Sequence, residues 1–229
     1  MLKNLIVGVI TDRTLSKAIP AEAWVEIVAT ACQTFRSVVA PITALTSGVG
    51  RLIEAKFDRL LDAEKVLAAA TMARAQEKVV ASNQAQTRKV KAGILIAVIE
   101  EASSQTDPLL HELWSNLLAR EFISGSVHPE FPKLLGRLSA HDVQWLATIS
   151  GRQPEKPDSL RGTMYSIATT LSFVGLPLHY QMDERSSFTH EFLASLNLIR
   201  RNGGVWESTL FGRAFVHSVS DMPEVQQPV

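Results

Sequence analysis

Apolar positions recur along most of this chain at helical spacing, and one short stretch reads as strand. From Ala21 to Val39, Trp24, Val25, Ile27, Val28, Ala31, Phe35 and Val38 fall at near-helical intervals, the pattern of an amphipathic helix. Pro20 suits the start of that helix, and Pro41 suits a break after it. From Gly50 to about Ser82 the residues favour helix throughout, with neither Gly nor Pro between Arg51 and Ala81. Ile53, Phe57, Leu60, Leu61, Leu67, Ala68, Ala75 and Val79 form one stripe along it, crossed by Glu64. The pattern predicts one long amphipathic helix, packed on another helix of the chain or on a partner subunit. Residues 82–91 are polar and basic and read as a loop or a frayed helix end.

The segment from Val90 to Ile149 is the best patterned. Ile94, Leu95, Val98 and Ile99 predict a short helix ending near Ala102. Thr106-Asp107-Pro108 then reads as a helix start, with Thr or Asp as the cap and Pro in the first turn. The helix that follows has Leu110, Leu113, Trp114, Leu117, Leu118 and Phe122 on one face. His111, Glu112, Ser115, Asn116 and Arg120 lie on the other, and the helix ends near Gly125. His128-Pro129 opens an element that buries Phe131, Leu134, Leu135 and Leu138. Ser139 to Asp142 resembles a capping box with Asp in place of Glu or Gln, and it opens a helix that buries Val143, Leu146 and Ile149.

Residues 150–159 carry one Gly and two Pro and read as a linker. A helix is expected over Leu160–Val174, stopped by Gly175 and Pro177. Another is expected over Ser187–Leu198, with Phe188, Phe192, Leu193 and Leu196 inward. Leu198–Arg201, Asn202-Gly203-Gly204 and Val205–Ser208 read as a β-hairpin, because Asn-Gly supplies the positive φ of a tight turn. A last helix starts at Thr209 and buries Leu210, Phe211, Phe215 and Val219, and the tail from Asp221 is expected to be loose. The fold class expected is mainly α: a helical N-terminal region (1–89), a central helical region (90–150) and a C-terminal winged-helix-like unit (151–229) containing one hairpin.

Composition narrows the function classes. A chain of 229 residues can bury a core without staples. Its 23 basic and 23 acidic residues cancel, so the basic excess of a nucleic-acid binder is missing and self-association is not opposed by net charge. Charge is uneven locally, with five basic residues against one acidic from Met72 to Gly93, and seven acidic against three basic from Ile94 to Trp145. That asymmetry suits either an ordinary solvated face or two surfaces of opposite sign that associate. The single cysteine, Cys32, forbids an internal disulfide, fits a reducing compartment such as the cytoplasm, and reads as a small core residue rather than a nucleophile. The start of the chain has too short an apolar run for a signal peptide. The stretch Val38–Gly50 is too short to span a bilayer, which leaves peripheral membrane contact through residues 35–53 open.

Catalytic patterns are missing. The six histidines (His111, His128, His141, His179, His190 and His217) show no zinc spacing, and there is no GxSxG, Walker-A or GxGxxG motif. His128 and His141 read as local structural residues. Glu100 and Glu101 diverge by about 100° on a helix and do not converge on one atom. No catalytic residue, metal, cofactor or small-molecule substrate is expected, although groups that meet only across the fold could still form a site. The winged-helix-like unit raises DNA binding, but the candidate reading helix Ser187–Leu198 holds no Lys or Arg, and only Arg200, Arg201 and Arg213 lie near.

The run Leu113-Trp-Ser-Asn-Leu-Leu118, then His128-Pro-Glu-Phe131, Leu134-Leu135 and Leu138-Ser-Ala-His-Asp142 resembles the abortive infection alpha family. So do Leu196-Asn-Leu-Ile199 and Thr209-Leu-Phe-Gly-Arg-Ala-Phe215, with Asn197 where the family carries Gly. The named motifs cover about residues 90–217. The resemblance implies a bacterial protein linked to phage defence or mobile elements. It implies architectural roles for its motif residues: Trp114, Leu117, Leu118, Phe131 and Leu135 in the core, Ser139 and Asp142 at a helix start, Thr209 as a cap. It transfers no catalytic residue. The reading that follows is a non-enzymatic protein acting through oligomerisation or a protein partner. The alternatives are a winged-helix DNA-binding regulator and a membrane-perturbing effector.

Overall fold

The computed structural model describes residues 20–43, 47–84, 90–151, 187–202 and 205–220. Among them are nine helices and one two-stranded antiparallel hairpin: α1 (Ala21–Thr43), α2 (Ser47–Asp58), α3 (Asp62–Ala81), α4 (Ala92–Ala102), α5 (Pro108–Ser124), α6 (Glu130–Arg137), α7 (Ala140–Gly151), α8 (Phe188–Ser195), β1 (Ile199–Asn202), β2 (Val205–Ser208) and α9 (Leu210–Val219). They fall into two compact units, Met1–Gly136 and Arg137–Val229. The mainly helical fold with one C-terminal hairpin matches the class read from the residues. The helix expected over 160–174, on which a winged-helix arrangement depends, lies outside the described residues, as do the tail and all of the linker except Ser150 and Gly151, which belong to α7.

In the first unit α3 packs on α1 and α5, while α2 packs on α4 and α1. The helix expected from Gly50 to Ser82 is in fact two. A straight helix of that length would run about 50 Å, and the chain turns at Arg59–Leu61 instead. Leu61 is extended (ψ 157°), and the Glu64 carboxylate reaches back to accept its N–H at 2.9 Å. With Asp62, Glu64 also sets negative charge on the first turn, where the helix dipole favours it. The turn leaves Leu61 exposed and lets Phe57 stack on Phe35 of α1, with ring centroids 3.8 Å apart. The other correction concerns α1, which runs through Pro41 to Thr43 instead of breaking there. Buried Phe35, Val38 and Val39 hold that last turn by packing, which outweighs the one backbone bond that proline removes.

Helix α5 is the centre of this unit. Asp107 caps it, accepting from the N–H groups of Leu109 and Leu110, with Pro108 in the first turn. Gly125 ends it in the left-handed conformation (φ 63°), which costs glycine nothing. Trp114, Leu117, Leu118 and Phe122 are fully buried, as expected. Ser115 and Asn116 of the face read as polar are buried, and Glu121, placed on neither face, is buried too.

In the second unit α7 begins at the expected cap. Ser139 Oγ and N–H both donate to Asp142 Oδ2 (2.6 and 2.9 Å), and Asp142 N–H donates to Ser139 Oγ at 3.2 Å. Helix α8 ends in a Schellman motif: Leu198 N–H meets Leu193 O at 3.0 Å and Asn197 N–H meets Ala194 O at 2.8 Å. Asn197 has φ 58°, so it does hold the conformation that glycine would adopt. Two residues expected inside are outside: Phe188 is 84% and Leu210 78% exposed. Each is the first residue of its helix; Leu193, Leu196, Phe215 and Val219 are buried as expected, and Thr189 and His190 are buried with them.

Thr209 caps α9 by accepting the Gly212 N–H at 2.9 Å and donates to Asn197 O at 2.6 Å. Gly212 lies so close to the strand root that a Cβ would stand 2.0 Å from Leu198 O. Gly212→Ala should therefore destabilise the second unit by about 1–3 kcal/mol or more. Denaturant titration combined with amide exchange of α9 checks this, and unchanged exchange would contradict the close approach.

Candidate functional site

Three polar clusters could carry chemistry, and each is built from residues of one unit. The first lies on the seam between α3 and α5. His111 Nε2 meets Gln105 O at 2.5 Å, and its Nδ1 meets Thr71 Oγ1 at 3.1 Å. Ser115 Oγ donates to His111 O at 2.9 Å. Glu112, on the next position, takes Arg74 at 3.1 Å and Lys78 at 2.5 Å. Burial holds the His111 imidazole below its ordinary range, and Arg74 adds to that, against the Gln105 carbonyl and Asp107. Part of the basic run at 72–93 is thus answered by Glu112 within the chain, rather than standing free for another surface.

The second cluster ties the start of α4 to the end of α5. The Glu121 carboxylate is fully buried and accepts the N–H groups of Lys91 (2.8 Å) and Val127 (3.1 Å). Lys91 Nζ donates to the carbonyls of Gly125 (2.6 Å) and Val127 (2.9 Å) and stands 3.7 Å from Glu121. Burial raises the carboxyl above its usual range, and the bonds from Lys91 and Val127 oppose that. Its work is to satisfy orphan groups at a helix end.

The third is an aromatic group in the second unit. His190 stacks on Trp206 (centroids 5.2 Å, planes at 17°) and meets the edge of Trp145 at 4.8 Å, while Trp145 Nε1 donates to His141 Nε2 at 2.9 Å. Ser187 Oγ stands 2.7 Å from His190 Nδ1, the spacing of a nucleophile and its base. The remaining bonds identify it as a reciprocal helix cap: Ser187 N–H donates to Nδ1 at 3.3 Å, and His190 N–H to Ser187 Oγ at 3.4 Å. The acceptor role of Nδ1 leaves the hydrogen on Nε2. That atom and Trp206 Nε1 are buried without a hydrogen-bond partner. Burial favours the neutral ring, with Glu191 opposing.

The motif residues fall where the resemblance implied. Trp114, Leu117, Leu118, Phe131 and Leu135 are buried, Ser139 and Asp142 form a cap, and Thr209 caps α9. His128 is exposed and accepts the Glu130 N–H at 3.2 Å, a local role. Cys32 is a half-buried free thiol. Among the described residues no group of three or more His, Cys, Asp or Glu could hold a metal ion, and no helix is long and apolar enough to cross a membrane. Sequence reasoning missed the Ser187–His190 cap, whose signal was a Ser three residues before a polar side chain. It also missed the Lys91–Glu121 tie, which left no local signal.

Lys91→Met should lower the stability of the first unit by about 1–2 kcal/mol at neutral pH, since two carbonyls lose a donor and a buried carboxylate loses its cation. Because the folded state already holds the Glu121 proton more tightly than the unfolded chain, acid favours the fold at this group. The deficit of the variant should therefore shrink as pH falls towards the carboxylate range. Denaturation of wild type and variant at pH 7 and pH 5 checks the sign.

No curated protein and no solved structure shows a significant match to the chain. The sequence profile of a family described as abortive infection alpha does match, over residues 63–219, which begins at α3, upstream of the motifs named above, and ends with α9. The match covers well over half of the sequence, and the chain belongs to the abortive infection alpha family.

Proposed function

We propose that this protein serves phage defence by abortive infection as a non-enzymatic interaction protein of the cytoplasm, binding a second copy of itself or a protein partner. One observation carries the reading: Phe188, 84% exposed, stacks on Phe192 with ring centroids 6.2 Å apart and planes at 3°. An aromatic pair at the surface is the kind of anchor that dominates protein interfaces. Leu210 and Val205 of the same unit are exposed as well. The polar clusters support the reading from the other side, because their groups are used in caps and helix seams rather than turned towards a common reactant. The DNA-binding alternative draws little support, since α8 contains no Lys or Arg and the Arg200 guanidinium donates to Glu207 at 2.6 Å.

Light scattering on the eluted full chain at micromolar concentration should give a mass above the monomer, or the chain should retain a protein from infected cells. Phe188→Ser should weaken that association by about thirtyfold or more, equivalent to about 2 kcal/mol, and leave folding unchanged. The same variant should lose protection in a phage-plating assay. A variant that associates and protects like wild type would remove α8 from the mechanism. A strict monomer that shifts duplex DNA at low salt would favour the regulator instead.

A further inference from the structure

We propose that His190 holds the start of α8 as a neutral ring, and that a proton on it releases that turn. The geometry gives the sign. The ring is 1% exposed, so an imidazolium there has almost no water to solvate it. Its Nδ1 is occupied as an acceptor, because the Ser187 N–H, which can only donate, reaches it at 3.3 Å. Its Nε2 then carries the hydrogen, and that atom is buried without a hydrogen-bond partner. A buried cation is tolerated only when each of its N–H groups meets an acceptor, and Nε2 meets none. The ring also folds back on the first turn of α8, where the helix dipole is positive and disfavours further positive charge.

Three contacts act the other way. Glu191 attracts a proton to the ring, and the face of Trp206, stacked on it at 5.2 Å, attracts a cation. The Ser187 hydroxyl, 2.7 Å from Nδ1, can turn to accept a hydrogen there, but the Ser187 N–H then faces an N–H and Nε2 gains nothing. Glu191 is exposed, and water screens it. The titratable groups of the elements packed against α8 are engaged elsewhere or stand at the surface: Asp142 of α7 with Ser139, His141 with Trp145, Arg200 of β1 with Glu207 of β2, and Arg201 exposed. Burial therefore prevails and holds the folded ring below its ordinary value of 6.5. The unfolded chain takes the proton first as pH falls. The contribution of the neutral ring is full above 6.5 and is lost from there down to the lower folded value, by at most about tenfold per pH unit. Without the ring, the reciprocal cap and the stack on Trp206 go together. Acid thus frays the helix end that presents the Phe188–Phe192 pair. The effect on association rests on the interface reading given above; the release of α8 does not.

The test follows the full chain from pH 7.5 to 5.0. Imidazole NMR reads the His190 titration, amide exchange corrected for its intrinsic pH dependence reads α8, and light scattering reads the mass. The expected midpoint lies below 6.5, with α8 protection falling between 6.5 and that midpoint. A mass above the monomer at pH 7.5 should fall over the same range. His190→Gln keeps a side-chain oxygen for the Ser187 N–H and cannot titrate, so its α8 protection should stay level. Glu191→Gln, at an exposed position, should lower the midpoint and extend the loss of protection to lower pH. A midpoint at or above 6.5, α8 protection indifferent to the titration, or fraying that persists in His190→Gln would each overturn the proposal. Should His190→Gln fail to fold, Glu191→Gln still decides, because a loss of protection that does not move with the midpoint overturns it too. A chain monomeric at pH 7.5 overturns the interface reading alone, and exchange still decides the release of α8.

Discussion

Helix α5 has almost no face left for water. Trp114, Leu117, Leu118 and Phe122 fill one side, and Ser115, Asn116 and Glu121 are buried on the rest. Burying polar groups is costly unless they are hydrogen-bonded, and the first unit supplies such bonds along much of α5, although the Trp114 indole N–H is buried without one. Residues of the neighbouring helix and turns answer α5: Thr71, Arg74 and Lys78 come from α3, Gln105 from the turn before it, and Lys91 and Val127 close its far end. Because the apolar side chains of α5 are generic, it is this polar dressing that fixes which neighbour lies where.

Much of the helical frame was legible because its punctuation is local. Asp107-Pro108, Gly125, the Ser139–Asp142 pair and Thr209 each act on groups within a few residues, so their effect is written where they stand. Asn197 belongs with them, its left-handed backbone being legible from what the related family places there. The misreadings have a different origin. The stripe from Ile53 to Val79 keeps helical period across Arg59–Leu61, and periodicity cannot register a turn that preserves it. Hydrophobicity alone places Phe188 and Leu210 inside, but the first residue of a helix has few neighbours to cover it.

The sites were less legible than the fold for a physical reason. Ser187 and His190 stand three residues apart in a helix start, yet the stack of His190 on Trp206 joins positions that only the hairpin brings together. Lys91 and Glu121 are 30 residues apart and meet through the loop at Gly125–Val127. Membership of the abortive infection alpha family gives these arrangements a biological setting, and the geometry explains why its motif residues are architectural: they cap, terminate and fill helices.

The contact between Gly212 and the carbonyl of Leu198 has a genetic corollary. A side chain that crowds another side chain can be accommodated by trimming its neighbour, and suppressor mutations commonly arise that way. Here the obstacle is a main-chain oxygen, which every amino acid carries in the same place. No replacement at position 198 can make room for a larger residue at 212. A revertant of such a lesion would have to restore glycine itself or re-route the root of the hairpin.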